Sequence, residues 1–206
     1  MPDVFEVLGG DHTAVKQMLD ALESSPDNST GATKAVVSAR KEVAERLIID
    51  SSAHEAAEEL YFWPIVRERL ADGNGLADQA IEQESVAKQM LNEVGKLAGP
   101  QHEFDALIDT FIPACRAHIE FEETRVWPGL REVLSPRESQ ELGRKITKAK
   151  EHGPTRPHPR TPPTPAALAT LGPAVAVVDR LRDAVSGRRL LGILITARHG
   201  QRGSRL

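Results

Sequence analysis

Two stretches of the chain, HEAAEELYFWPIVRERL from His54 and HIEFEETRVWPGLREVL from His118, lie 64 residues apart and agree at eight of seventeen positions. Each opens with His-x3-Glu, and residues at i and i+4 share one face of a helix. Each copy therefore presents an imidazole nitrogen and a carboxylate to one point. Two such helices facing each other would bring four protein ligands together.

The duplication extends upstream. The segment from His12 (HTAVKQML) can be laid on the segment from Glu84 (ESVAKQML), with Lys-Gln-Met-Leu identical in both. Each half then reads as one helix carrying His12 or Glu84, a connection, and one helix carrying His-x3-Glu. The interval from His12 to His54 exceeds that from Glu84 to His118 by eight residues, which the polar segment Ser24 to Thr33 accommodates. An internal repeat fixes architecture before any other signal. The unit here is a helical hairpin, and two hairpins make an all-α, up-down-up-down four-helix bundle.

Apolar spacing predicts the first helix from about Asp11 to Leu22, broken by Pro26 to Gly31. The second is expected over about 33–70, with a stripe through Val43, Leu47, His54, Glu58, Tyr61 and Ile65. Asp72-Gly-Asn-Gly75 reads as a stop, the third helix as 76–97 ending at Gly99-Pro100, and the fourth as 104–134. Pro64 and Pro128 fall inside these patterns and should kink each helix or break its hydrogen-bond ladder. The expected organisation is a bundle over 1–135, a short polar helix over 136–150, and an extension over 151–206. That extension comprises a Pro-rich strap, a short amphipathic helix over 173–186 facing inward through Val177, Val178, Leu181 and Val185, and a flexible tail. Strap and helix are expected to dock on the bundle.

The third helix collects Ala77, Ala80, Ala87, Leu91, Val94 and Ala98 on one face, with Glu84 the one charged residue among them. The corresponding seam of the fourth is Phe111, Cys115, His118 and Glu122, with Arg125 a turn beyond. A lone carboxylate on an apolar face costs several kcal/mol unless it is paired or bound to a cation. Three such carboxylates, Glu58, Glu84 and Glu122, and three imidazoles, His12, His54 and His118, balance best around metal ions. Six N/O ligands without thiolate do not suit a structural zinc site, which takes four ligands, often including Cys. They suit two iron ions, with manganese second, bridged by carboxylates. A natural division places His12 and His54 on one ion and Glu84 and His118 on the other, with Glu58 and Glu122 bridging. Positions would stay open for water, an oxo or hydroxo bridge, dioxygen or peroxide.

Other residues read as support. Tyr61 is either ordinary packing or a hydroxyl hydrogen-bonded to a ligand, and Cys115 is a small hydrophobe beside or beneath the site. Trp63 and Trp127 are expected to cap one end of the bundle as packing residues. His102 reads as a loop residue, and His152, His158 and His199 as incidental.

The helix-one His, the two His-x3-Glu helices, the third-helix ligand and the following Trp-Pro pairs resemble the hemerythrin family, in its bacterial HHE cation-binding branch. The resemblance covers about residues 1–135. It implies a non-haem di-iron centre that handles dioxygen, peroxide or nitric oxide, and it carries over to His12, His54, Glu58, His118 and Glu122. Such chains usually place a histidine on the third helix, where this one has Glu84 in Ile81-Glu-Gln-Glu-Ser85. A carboxylate donates more negative charge than neutral imidazole and favours ferric iron. Peroxide-type chemistry is therefore expected ahead of reversible dioxygen carriage.

Composition removes other classes. A net charge of −4 argues against a general nucleic-acid footprint. Cys115 is the chain's one cysteine, which rules out an intrachain disulfide and fits a reducing cytosol. Without a charged-then-apolar leader or an apolar run of about 18 residues, a cytoplasmic protein without a membrane span is expected. The remaining function classes are a peroxide-consuming (catalase-like) di-iron enzyme or redox protein with its own redox partner, a non-enzymatic sensor of dioxygen, nitric oxide or iron, and a bundle using divalent metal structurally.

Overall fold

A computed structural model describes residues 1–27, 31–97, 102–159 and 175–183, and these contain helices and no strand. The bundle consists of α1 (Val4–Ser24), a second long helix, α4 (Gly73–Lys96) and a fourth long helix. The second runs as α2 (Lys34–Ala57), a π-helical turn (Glu58–Phe62) and α3 (Trp63–Arg69). The fourth repeats that form as α5 (His102–Phe121), a π turn (Glu122–Val126) and α6 (Trp127–Val133). Helices consecutive along the chain pack side by side, and α1 also packs on α5, which closes the ring of four.

Local chemistry explains the boundaries. The first helix starts seven residues earlier than its apolar spacing suggests, because Asp3 and Glu6 form a capping box ahead of Val4. Gly73 and Gly75 belong to the first turn of α4 rather than to a stop. The chain turns so tightly between α3 and α4 that a Cβ on Gly73 would sit 2.1 Å from the carbonyl oxygen of Val66. Glycine is there for close approach, not for breaking a helix. His102 opens α5 instead of lying in a loop.

The prolines act through the π turns. Pro64 has no N–H to return to the preceding turn, and the ladder is re-formed one residue wider, with the Trp63 N–H donating to the Glu58 carbonyl. The Trp127 N–H donates to the Glu122 carbonyl in the same way ahead of Pro128. One extra residue per turn rotates everything downstream, so Phe62 and Val66 become buried in place of the expected Tyr61 and Ile65. On the fourth helix Val126 takes the seam and Arg125 turns out to solvent, contrary to its expected place.

Two apolar clusters form the core. One contains Val4, Leu8, Phe62, Trp63, Ala80, Trp127 and Leu130, and the other contains Val15, Leu19, Leu47, Ala87, Leu91, Ile108 and Phe111. His12 lies between Leu8 and Val15, and Glu84 between Ala80 and Ala87, so the polar residues form a layer sealed by hydrocarbon on both sides.

The helix expected over 136–150 is α7 (Pro136–Glu151), started by a Ser135–Glu138 capping box. It is amphipathic rather than simply polar. Leu142, Gly143 and Ile146 are buried, and the helix packs on α1 and α2. Residues 175–183 are helical, but the expected inward face is reversed, with Val177, Val178 and Leu181 exposed and Ala176, Asp179 and Asp183 buried. The cause is polar: Asp179 accepts from the Thr155 N–H and contacts His158, while Asp183 binds Thr155 and Arg156. Val185, Ala98, Gly99-Pro100, His199, the rest of the Pro-rich strap and the tail lie outside the described residues. Among the described residues no helix is long and apolar enough to cross a membrane.

Candidate metal centre

The polar layer brings six side chains to one place. His12, His54, Glu58 and Glu122 offer ligand atoms within 4.8 Å of one another, and so do Glu58, Glu84, His118 and Glu122. The two groups share Glu58 and Glu122, the carboxylates assigned as bridges from sequence. Burial is severe: Glu58, Glu84 and Glu122 are each 0 % exposed and His12 is 2 % exposed. The Nε2 atoms of His12 and His118 lie 3.1 Å from the two oxygens of Glu122, and His54 Nε2 lies 3.0 Å from Glu58. These approaches lack hydrogen-bond alignment. His12 and His118 Nε2, both oxygens of Glu58 and of Glu122, and one oxygen of Glu84 are buried without a hydrogen-bond partner. Each such atom costs about 1–3 kcal/mol, more if charged, and a cation pair at their convergence would satisfy all of them together. The donor set thus fits two hard or borderline divalent ions with nitrogen and oxygen ligands.

A second layer orients the first. The His54 Nδ1 is 3.1 Å from Asp11 Oδ2, His118 Nδ1 is 3.0 Å from Gln83 Oε1, and His12 Nδ1 is 3.0 Å from Glu123 Oε1. All three partners offer acceptor oxygens, so a ring that donates Nδ1–H to its partner would leave its Nε2 facing inward for a cation. The Trp63 indole N–H donates to Glu84 Oε1 at 2.7 Å, and Trp127 stacks on His12 with centroids 5.0 Å apart. The repeat governs this layer too. Asp11 corresponds to Gln83, and Lys16 bonds Glu123 at 2.9 Å where the equivalent Lys88 bonds the equivalent Glu59.

Charge sets the electrostatics. Burial and then the neighbouring Glu122 raise the pKa of Glu58, and burial raises that of Glu84 well above the ordinary value despite Lys88. Glu122 behaves oppositely: burial opposes ionisation, but His118 and His12 outweigh it and hold the carboxylate low. For His54, burial disfavours the cation, yet Glu58 and Asp11 leave the pKa well raised. His118 is raised too, burial being outweighed by Glu122. Burial takes Glu55 up to about 7. Lys88 is raised despite burial because Glu55, Glu84 and Glu59 surround it. Protons and a metal cation therefore compete for the same inward-facing atoms.

The supporting residues divide. Tyr61 packs partly buried against the first cluster, and its hydroxyl has no hydrogen bond among the described residues. Cys115 packs against the second cluster, and burial pushes its thiol up to about 12, so it stays protonated. The tryptophans are buried beside the ligands rather than serving as end caps alone. Asp11, Gln83, Glu123, Glu59, Lys16 and Lys88 were not singled out from sequence as functional. The signal was present in the identical Lys-Gln-Met-Leu and in the Glu-Glu following each His, read only as marks of duplication.

The fold and this layer define a helical cation-binding domain. The sequence pattern of the Hemerythrin HHE cation binding domain matches residues 3–130, and the chain belongs to that family. Its fold is similar to that of a Hemerythrin HHE cation binding domain-containing protein from Mycobacterium kansasii, with a TM-score of 0.60 and 20 % identity over 73 % of this chain and 86 % of that one. No curated protein matches the chain.

Proposed function

We propose that the chain is a non-haem di-iron protein that handles dioxygen, peroxide or nitric oxide, with peroxide-type chemistry ahead of reversible dioxygen carriage. The observation that carries this reading is the pair of four-residue groups sharing two fully buried carboxylates. Iron bound there would supply electrons and open coordination positions for a small oxygen or nitrogen species. Glu84 supports the preference for oxidised iron, because it adds negative charge where its repeat partner His12 is neutral as a ligand. Asp11 acts in the same direction by drawing the Nδ1 proton of His54 and making Nε2 the better donor. The two hydrocarbon clusters exclude bulk water from the layer, and Lys16 and Lys88 balance the outer carboxylates. The single thiol suits a cytoplasmic setting; in peroxide disproportionation one peroxide reduces the other, so an external redox partner would be needed only for net reduction of peroxide, dioxygen or nitric oxide.

The test is loss of hydrogen peroxide, with dioxygen evolution followed in parallel, catalysed by iron-loaded protein against His54→Ala. The proposal expects turnover that falls at least about 100-fold in the variant. Reversible deoxy–oxy spectral cycling in air, with no peroxide loss, would contradict the stated preference.

A specific contact favours a sensor as the second reading. Asp11 also binds Lys150 of α7, so His54 is linked through one carboxylate to a helix outside the bundle. Metal loading or a change of iron oxidation state should then alter hydrogen-exchange protection of α7. Unchanged protection would remove this reading.

A further inference from the structure

A cavity of about 720 Å³ lies between the second long helix, α7 and the segments at 153–158 and 175–180. That size is in the range of small-molecule sites, roughly 300–1,000 Å³. Ala56, Leu60, Tyr61 and Pro154 give it apolar walls. Its charged lining is one-sided: six Lys or Arg residues against a single carboxylate, Glu59. Three of the six are matched, Lys88 by Glu59, Arg144 by Glu141 and Arg156 by Asp183. Arg180 rests on the carbonyl oxygens of Glu151 and Gly153, which carry no net charge. Lys148 has no ion pair among the described residues, and Lys145 is exposed beside it on α7. An apolar chamber with surplus positive charge at its wall is complementary to a molecule with a hydrocarbon body and one anionic end.

We propose that this cavity binds a small amphipathic carboxylate of the fatty-acid type, with its chain against Ala56, Leu60 and Tyr61 and its carboxylate at Lys148 and Lys145. The cavity shares Glu59 and Lys88 with the outer layer of the metal centre but includes none of its six inward-facing ligands. Tyr61 is the chain's one tyrosine, so 3-fluorotyrosine labelling of the full chain places a single fluorine resonance in the cavity wall. Decanoate, kept below its micellar concentration, should shift that resonance saturably in chelator-treated and iron-loaded protein alike. Decanol should bind about tenfold more weakly, and so should decanoate to a Lys145→Glu, Lys148→Glu double variant, tenfold being about 1.4 kcal/mol. Both substitutions are at exposed positions and leave the core untouched. Ala56→Phe, which fills the chamber while keeping its cations, should abolish the shift. The proposal is overturned if decanoate gives no saturable shift, if decanol binds as tightly, or if charge reversal leaves affinity unchanged. None of these outcomes bears on metal content, so failure here is separable from failure of the di-iron reading.

Discussion

At the scale of single residues, the centre is a set of inward-facing atoms kept in place by outward-facing ones. His54 and His118 occupy equivalent positions, but one leans on the carboxylate of Asp11 and the other on the amide of Gln83. Loss of such an outer partner typically weakens metal affinity about 10–100-fold. Asp11→Asn should fall in that range when iron affinity is measured by competition with a chelator, and an affinity within about twofold of wild type would show that Asp11 does not orient His54. Trp63→Phe should weaken the ion held at Glu84 selectively, because it leaves a buried carboxylate oxygen unpaired. Two sequential binding phases that both weaken equally would contradict that. The six candidate ligands, which the structure brings together, stand out in the sequence because repetition marks them, and because a charged residue on an apolar face is conspicuous. The outer layer does not, since Asp11, Gln83, Glu59 and Glu123 look like ordinary surface polar residues until the helices are assembled. Tyr61 packs only partly buried for a different reason, a change of helical pitch between Glu58 and itself.

At the scale of elements, proline and glycine act against their simplest reading. Pro64 and Pro128 do not end their helices; each is accommodated by a π turn that begins at a shared carboxylate, Glu58 or Glu122. The 3.6-residue spacing identified the faces upstream of those turns and lost them one residue downstream, where Phe62 and Val126 replace Tyr61 and Arg125. Gly73 is required by the contact with the Val66 carbonyl, so Gly73→Ala should destabilise the fold by about 1–3 kcal/mol. Gly75→Ala meets only the side chain of Asp72, which can move. Equilibrium urea unfolding distinguishes the two, and equal effects would show that the α3–α4 turn has room to relax. The stretch at 175–183 shows how an apolar pattern can mislead in a short helix. Asp179 and Asp183 find Thr155, Arg156 and His158, and this buried polar set faces the valines outward.

At the scale of the whole molecule, a bundle with its charge at the centre should respond to pH in opposite ways with and without metal. In the metal-free protein Glu55, Glu58 and Glu84 have folded pKa values above the ordinary 4.5, and His54 and His118 above 6.5. The folded state then holds more protons than the unfolded chain, the carboxylates from about 4.5 upward and the histidines from about 6.5 upward. Stability should therefore fall as pH rises through this window. With metal bound the ligands must be deprotonated, and stability should fall as pH drops instead. Thermal unfolding from about pH 5 to pH 8 should give slopes of opposite sign, and parallel slopes would contradict a buried site at which protons and metal compete. The duplicated hairpin made the bundle legible in outline, but not the docking of α7, whose buried face is Ser139, Leu142, Gly143 and Ile146. Two ions that share Glu58 and Glu122 should be lost together, which anaerobic ferrous titration followed by elemental analysis of desalted protein can read. The wild type should retain two iron per chain and a Glu58→Gln, Glu122→Gln double variant none; one iron or none in the wild type, or two retained by the variant, would rule out a shared pair.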